Sequence, residues 1–173
     1  NVQGACDMGG LPNVFTGYQV VTDANNRKKF EEAWGVPGLD DKPGLTIAEM
    51  MSAALRGEVR ALYVMGENPM MTEPNLNHSH ELMRKLDFVA VQDLFLNETG
   101  AYADVFFPAT SWAEKDGTFT NTDRRVQMVR QAISPLGESR PDWMIICDLA
   151  RRIEKRLATH KTAYWDYQHP SEI

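Results

Sequence analysis

Along the chain the spacing of apolar residues changes period several times, and each change predicts an element. Ile47, Met50, Met51, Ala54 and Leu55 recur three or four apart and Gly57 follows them, which predicts an amphipathic helix with a glycine stop. Thr46 with Glu49 three residues on supplies a capping box at its start. At Val59 the helical spacing gives way to a continuous apolar, β-branched run through Met65, ended by Gly66, and a buried strand is expected there. Helical spacing returns over Asn75 to Leu86, with Leu76, Leu82, Met83 and Leu86 on one face, before a second short strand at Phe88 to Val91. A third repetition follows, with a short helix over Glu98 to Ala103 and a strand over Asp104 to Phe107 ended by Pro108.

Strand, helix, strand, helix, strand is the pattern of a parallel sheet with crossover connections. The expected fold class is therefore α/β, a three-layer α/β/α sandwich with a mainly parallel, Rossmann-like sheet. Around this centre, Asp23 caps a helix running through Phe30 and Trp34 to Gly35, and Pro43-Gly44 marks a turn. Gly117 to Val129 suits a hairpin, with Phe119, Val126 and Met128 apolar and Arg124-Arg125 between them. Residues 141 to 157 form an amphipathic helix with Trp143, Ile146, Leu149 and Ile153 inward and Arg151, Arg152, Lys155 and Arg156 at a solvated end that suits the helix dipole. Three regions result: a glycine-rich, irregular opening segment over 1–22, an α/β domain over 23–158, and the start of a following region over 159–173.

Composition narrows the function classes. The 173 residues are 43% hydrophobic and 24% charged, values of an ordinary globular domain. A formal charge of −6 argues against a nucleic-acid module built on phosphate contacts. No apolar stretch approaches the roughly 20 residues that span a bilayer, so no direct membrane insertion is expected and a cytoplasmic setting is the working expectation. Cys6 and Cys147 stand far apart in sequence, which gives neither a disulfide framework nor a C-x-x-C metal pattern. His78 and His80 lie two apart on a predicted helix and point to different faces. There is no H-E-x-x-H, no P-loop, no G-x-G-x-x-G after a strand and no nucleophile elbow. The chain opens on Asn1 and ends at Tyr167 to Ile173 in what looks like a helix start, so a piece of a larger protein is expected.

In open parallel sheets, ligands bind beyond the carboxyl ends of the strands. Those ends carry Gly66-Glu67-Asn68-Pro69, then Gln92-Asp93, then Thr110 through Gly117 with Lys115 among them. Carboxylate, amide and lysine together suit a purine nucleotide. A carboxylate accepts from guanine N1–H and its exocyclic amine, amides read the remaining edge, and lysine pairs with phosphate. The same residue types also form turns for backbone reasons alone, and both readings stand at this point.

Taken in order, Asn1 to Gly9 (NVQGACDMG), Met65 to Pro69 (MGENP), Val91-Gln92-Asp93, Ala103 to Pro108, Trp112 to Thr118 (WAEKDGT) and Asn121 to Gln127 (NTDRRVQ) resemble the molybdopterin oxidoreductase family. The opening segment is most like formate dehydrogenase catalytic subunits. The resemblance runs from Asn1 to about Leu157. It implies a domain that holds one guanine dinucleotide arm of a bis(molybdopterin guanine dinucleotide) cofactor carrying molybdenum or tungsten. Carried over by position, Asn68, Gln92, Asp93, Lys115 and Asp142 become cofactor contacts, and Gln3 and Gly4 approach the pterin. Asp93 is the first choice for the guanine edge and Asp142 the second. The implied reaction is two-electron oxidation of formate to carbon dioxide, with electrons leaving through an iron–sulfur cluster in the parent protein, outside this chain. The metal ligand, catalytic histidine and arginine, and cluster cysteines are implied to lie N-terminal to Asn1, so no catalytic residue is assigned here and this stretch alone is expected to be inactive. The partners implied are the cofactor, the other domains of the subunit and an electron acceptor. Two alternatives remain open: a nitrate reductase of the same superfamily, and a non-catalytic electron-transfer scaffold subunit of respiratory NADH dehydrogenase.

Overall fold

A computed structural model describes residues 2–157 and 165–173. The chain forms two compact units, residues 1–52 with 118–127, and residues 53–117 with 128–173.

In the first unit, the opening segment is more regular than its glycine content suggests. Val2–Asp7 forms helix α1, and Val14–Phe15 (β1) pairs antiparallel with Gln19–Val20 (β2). The glycines supply the turns. Gly9 sits at φ +88° directly after α1, where a Cβ would stand 2.8 Å from the Thr16 backbone nitrogen. Helix α2, Ala24–Trp34, begins where the Asp23 carboxylate accepts the Asn25 N–H and ends at Gly35, whose φ of 62° is the left-handed cap. Phe30 is buried by this helix, and its ring lies 4.7 Å from Phe15 and 4.9 Å from Trp34. Helix α3, Ile47–Leu55, opens with both the N–H and the hydroxyl of Thr46 donating to Glu49 at 2.7 Å. Its buried residues are Met51, Ala53 and Ala54, while Ile47 is exposed.

The second unit is built on a three-stranded parallel sheet, β3 (Ala61–Met65), β4 (Phe88–Asp93) and β5 (Val105–Pro108), with β4 in the centre. Helices α4 (Pro69–Thr72) and α5 (Leu76–Lys85) connect β3 to β4, and a 3-10 turn at Gly100–Tyr102 lies between β4 and β5. The mixed α/β class and the parallel pairing are as the periodicity predicts. Strand β3 differs from expectation. It is an edge strand with Tyr63 and Met65 exposed and only Val64 buried, because it has a neighbour on one side alone. Central β4 carries the core, with Val89, Ala90, Val91 and Gln92 all buried.

Alternation along β4 turns Val89 and Val91 to one face and Ala90 and Gln92 to the other. Gly100 lies against Phe106, the partner of Val91, on the first face, where a Cβ would come 3.5 Å from the ring. Beyond β5 the strand direction is extended by Arg140, which bridges Ala109 in parallel and donates its N–H to the Pro108 carbonyl at 3.1 Å. That bridge delivers the chain to α6, Asp142–Leu157. The buried residues of α6 are Ile145 and Cys147, whereas Ile146 and Ile153, expected inward, are exposed.

Between Lys115 and Gln131 the expected hairpin is present. Gly117–Thr120 (β6) pairs with Val126–Val129 (β7), and Arg124 takes φ 65° in the turn. At the chain's end, Pro170–Glu172 makes one 3-10 turn capped by His169. The rest of the region expected to begin at residue 159 lies partly outside the described residues.

The Gly9 turn is a test of the first unit. Gly9→Ala requires a left-handed alanine and a backbone clash, and should destabilise by about 1–3 kcal/mol. Thermal unfolding read by the near-ultraviolet signal of Trp34 and its neighbours should record the loss, and an unchanged midpoint would contradict the turn geometry.

Candidate functional site

Parallel register puts Met65, Gln92 and Phe107 side by side in the last row of the sheet. Gln92, in the middle, is 0% exposed. A buried amide without partners is costly, and this one is paired at both ends. Tyr63 Oη donates to Gln92 Oε1, and Gln92 Nε2 donates to Asp142 Oδ1 at 2.7 Å. Asp142 lies in the first turn of α6, where a carboxylate suits the helix dipole. Its other oxygen, Oδ2, receives the Lys115 ammonium, which also donates to the Thr110 carbonyl at 3.1 Å. Tyr63, Gln92, Asp142, Lys115 and Thr110 thus form one polar chain across the carboxyl end of the sheet.

Lys115 is held by what precedes it. The 3-10 turn Trp112–Glu114 is closed by a capping box in which the Ser111 N–H donates to Glu114 Oε2 at 2.7 Å, and Glu114 Oε1 accepts the Leu136 N–H at 2.8 Å. Glu114 is therefore a buried carboxylate fed by backbone donors. Those from Ser111 first, with its hydroxyl, Leu136 and nearby Lys115 adding to them, hold its carboxyl below the ordinary value of 4.5. Tyr63 is shifted the other way. Burial, helped by the Asp142 charge, pushes its phenol above the ordinary 10.0.

The remaining predicted residues have different surroundings. Asn68 ends the loop after β3 and spans to the loop after β4: its Oδ1 accepts from Thr99 Oγ1 at 2.6 Å, and its Nδ2 donates to Glu98 at 2.7 Å. Thr99 Oγ1 in turn accepts the Met70 N–H at 3.2 Å. Asp93 organises the loop after β4, accepting the Leu94 N–H at 2.6 Å and the Asn97 amide at 2.9 Å. Gln92, Lys115 and Asp142 are brought together; Asn68 and Asp93 each stand in their own network. Gln3 and Gly4 belong to the first unit. There Gln3 Nε2 donates to Asp7 at 3.0 Å and to the Tyr18 hydroxyl at 3.1 Å. Burial raises the Asp7 carboxyl, and the hydrogen bonds from Gln3 and Tyr18 with the Arg124 charge outweigh it, so Asp7 titrates below the ordinary 3.8. A cavity of about 550 Å³ is lined by Val2, Gln3, Thr120, Asn121, Thr122 and Asp123.

Tyr63 and Thr99 escaped the sequence reading, and Thr110 entered it only as the first residue of the stretch after the third strand. Tyr63 was hidden inside an apolar run, although period-two alternation places it on the same face as Gln92 through its partner Ala90. Thr99 lay in a segment read only as helix. Thr110 has a 2% exposed side chain whose Oγ1 finds no hydrogen-bond partner among the described residues. An ammonium and an amide as donors with a carboxylate as acceptor, joined in one network, fit the phosphate and guanine chemistry of a nucleotide. No group of three or more His, Cys, Asp or Glu among the described residues could hold a metal ion, and no described helix is long and apolar enough to cross a membrane.

A sequence model of the family described as molybdopterin oxidoreductase matches residues 1–152. The chain is 53% identical to the F420-dependent formate dehydrogenase subunit alpha of Methanocaldococcus jannaschii, over 88% of this chain and 22% of that protein. It is 44% identical to formate dehydrogenase H of Escherichia coli, over 96% of this chain and 23% of that protein. Acetylene hydratase from Pelobacter acetylenicus shares the fold, with a TM-score of 0.56 at 22% identity over 61% of this chain and 15% of that one. The chain spans 17% to 25% of the length of such curated relatives.

The capping carboxylate gives a pH test. A carboxyl whose pKa is lowered by folding adds stability above its unfolded value, and that stability is lost as pH falls through the folded value. Wild type should therefore exceed Glu114→Gln in melting temperature above about pH 4.5, the ordinary value, and the difference should shrink on acidification. A gap that is constant with pH would contradict the capping role.

Proposed function

This chain belongs to the molybdopterin oxidoreductase family, and from that premise we propose that it is the molybdopterin guanine dinucleotide-binding domain of a formate dehydrogenase. The observation that carries the proposal is the Asp142 carboxylate, held between the Gln92 amide and the Lys115 ammonium at the carboxyl end of a parallel sheet. That is where open α/β sheets bind ligands.

Asp142 is the better candidate for the guanine edge. Asp93 accepts from two groups of its own loop, Leu94 and Asn97, whereas the donors to Asp142, Gln92 and Lys115, come from separate elements that meet at the end of the sheet. Each Asp142 oxygen has one protein donor and keeps lone-pair capacity, so the pair can accept N1–H and the exocyclic amine together. Lys115 directs positive charge to the phosphates, and Thr110 offers the unspent hydroxyl. Asn68 and Asp93 shape the two loops that border the nucleotide, and Gln3 and Gly4 serve the pterin side. In this reading residues 23–158 are the cofactor-binding region, and the three parallel strands are part of a three-layer α/β/α sandwich. The bound group is a bis(molybdopterin guanine dinucleotide) with molybdenum or tungsten, whose metal centre would supply the two-electron oxidation of formate. The residues present here bind and orient; they carry no step of that chemistry, and the isolated stretch is inactive. An iron–sulfur cluster and an electron acceptor belong to the rest of a cytoplasmic parent. Both named relatives from curated proteins are formate dehydrogenases, which favours formate over nitrate. A scaffold subunit without molybdenum would have no need of the Asp142 arrangement.

Removing the Asp142 charge in the full-length subunit tests this. A charge-assisted hydrogen bond contributes about 1.5–3 kcal/mol, so Asp142→Asn should weaken cofactor retention by roughly 10- to 150-fold. Guanosine monophosphate released by acid, counted per polypeptide after gel filtration, should fall together with metal content. Full retention in both Asp142→Asn and Lys115→Met would remove this site from the reading.

A further inference from the structure

The polar chain described above does not begin at Gln92. It begins at Tyr63, one strand away, and nothing in the comparisons assigns that residue. Tyr63 is in register with Ala90, which is in register with Val105. A small residue on the central strand leaves room for the phenol ring to lean across the sheet. The ring stacks with Phe107, centroids 6.2 Å apart and planes 29° from parallel. This places its hydroxyl on Gln92 Oε1.

The direction of each hydrogen bond is fixed by chemistry. An ionised Asp142 accepts only, so Gln92 presents its NH₂ to Asp142 and its carbonyl to Tyr63. Tyr63 must then be the donor. Without that hydroxyl, the buried carbonyl of Gln92 loses its partner, and the amide is held against Asp142 by its NH₂ end alone. We propose that Tyr63 is a positioning residue for the nucleotide site, acting through Gln92 to fix the Asp142 carboxylate that receives the guanine edge. The inference rests on the assignment of that edge to Asp142.

A role through Asp142 differs from a merely structural role in what it couples to. In the full-length holo subunit, Tyr63→Phe keeps the ring and its stacking on Phe107 and removes one hydrogen bond. It should speed loss of the guanine-bearing cofactor about 3- to 10-fold, the effect of a single net hydrogen bond. In an Asp142→Asn background the same substitution should leave cofactor loss unchanged, while the melting temperature of the cofactor-free subunit falls by Tyr63→Phe equally in both backgrounds. Gln92→Met breaks the link at its middle, and Tyr63→Phe should add nothing to it. The readout is acid-released guanosine monophosphate retained per polypeptide over time. Equal acceleration in the wild-type and Asp142→Asn backgrounds, or none in wild type, would overturn the positioning role while leaving the Asp142 assignment intact. If Asp142→Asn itself retains cofactor as wild type does, the assignment fails and this role with it.

Discussion

The structure around the candidate site depends on one polar side chain placed where water cannot reach it. Gln92 occupies the next-to-last position of the central strand with no exposed surface, and a buried amide has two hydrogen-bonding ends to satisfy. Its carbonyl end fixes Tyr63 on the neighbouring strand, and its NH₂ end fixes Asp142 at the start of α6. Asp142 in turn holds Lys115, which the Glu114 capping box has already brought to the place. Strand register, helix start and loop turn are thus tied together by one side chain. An apolar residue at 92 would pack as well and tie nothing. The arrangement therefore makes sense as the frame of a site in which charge and orientation matter.

The same logic explains how the loops are ordered. After β3 and after β4 the chain turns away from the sheet, and its backbone groups need partners. Asn68 and Asp93 accept the Thr99 and Leu94 N–H groups and add side-chain bridges to the Thr99 hydroxyl and the Asn97 amide. These contacts spend polar groups on structure in a place where the ligand reading also wants them. The distinction between a residue that binds and one that shapes the loop follows from whether its partners lie in the loops themselves or among the side chains gathered at the end of the sheet. By that measure Asp142 and Lys115 are candidates for contact, and Asn68 and Asp93 for shape.

Periodicity and capping signals made elements of both units legible. The run over Val59 to Met65, the caps at Asp23 and Thr46, and the glycine stops at Gly35 and Gly57 are local signals, and local signals survive into the fold. What stayed hidden was tertiary. The exposure of β3 follows from its place at the sheet edge, which no window of residues reveals. The chain enters α6 from a bridge between Arg140 and Ala109, residues 31 apart in sequence. Helix α1 escaped notice because glycine-rich segments predict turns and say little of the residues between them. At the site, motif order pointed to Asn68, Gln92, Asp93, Lys115, Asp142, Gln3 and Gly4 without showing that Gln92, Lys115 and Asp142 alone join one network, and Tyr63 looked like one more apolar strand residue, since its hydroxyl becomes meaningful only when β3 and β4 are in register.

The central claim is that the Asp142 carboxylate, set by Gln92 and Tyr63, receives the edge of a guanine. An experimental structure of the full-length subunit with its cofactor bound tests it most directly. The account predicts a guanine whose N1–H and exocyclic amine both lie within hydrogen-bond reach of Asp142, with the Tyr63–Gln92–Asp142 chain unbroken. A guanine held on Asp93 or elsewhere, with Asp142 facing only Gln92 and Lys115, would contradict it.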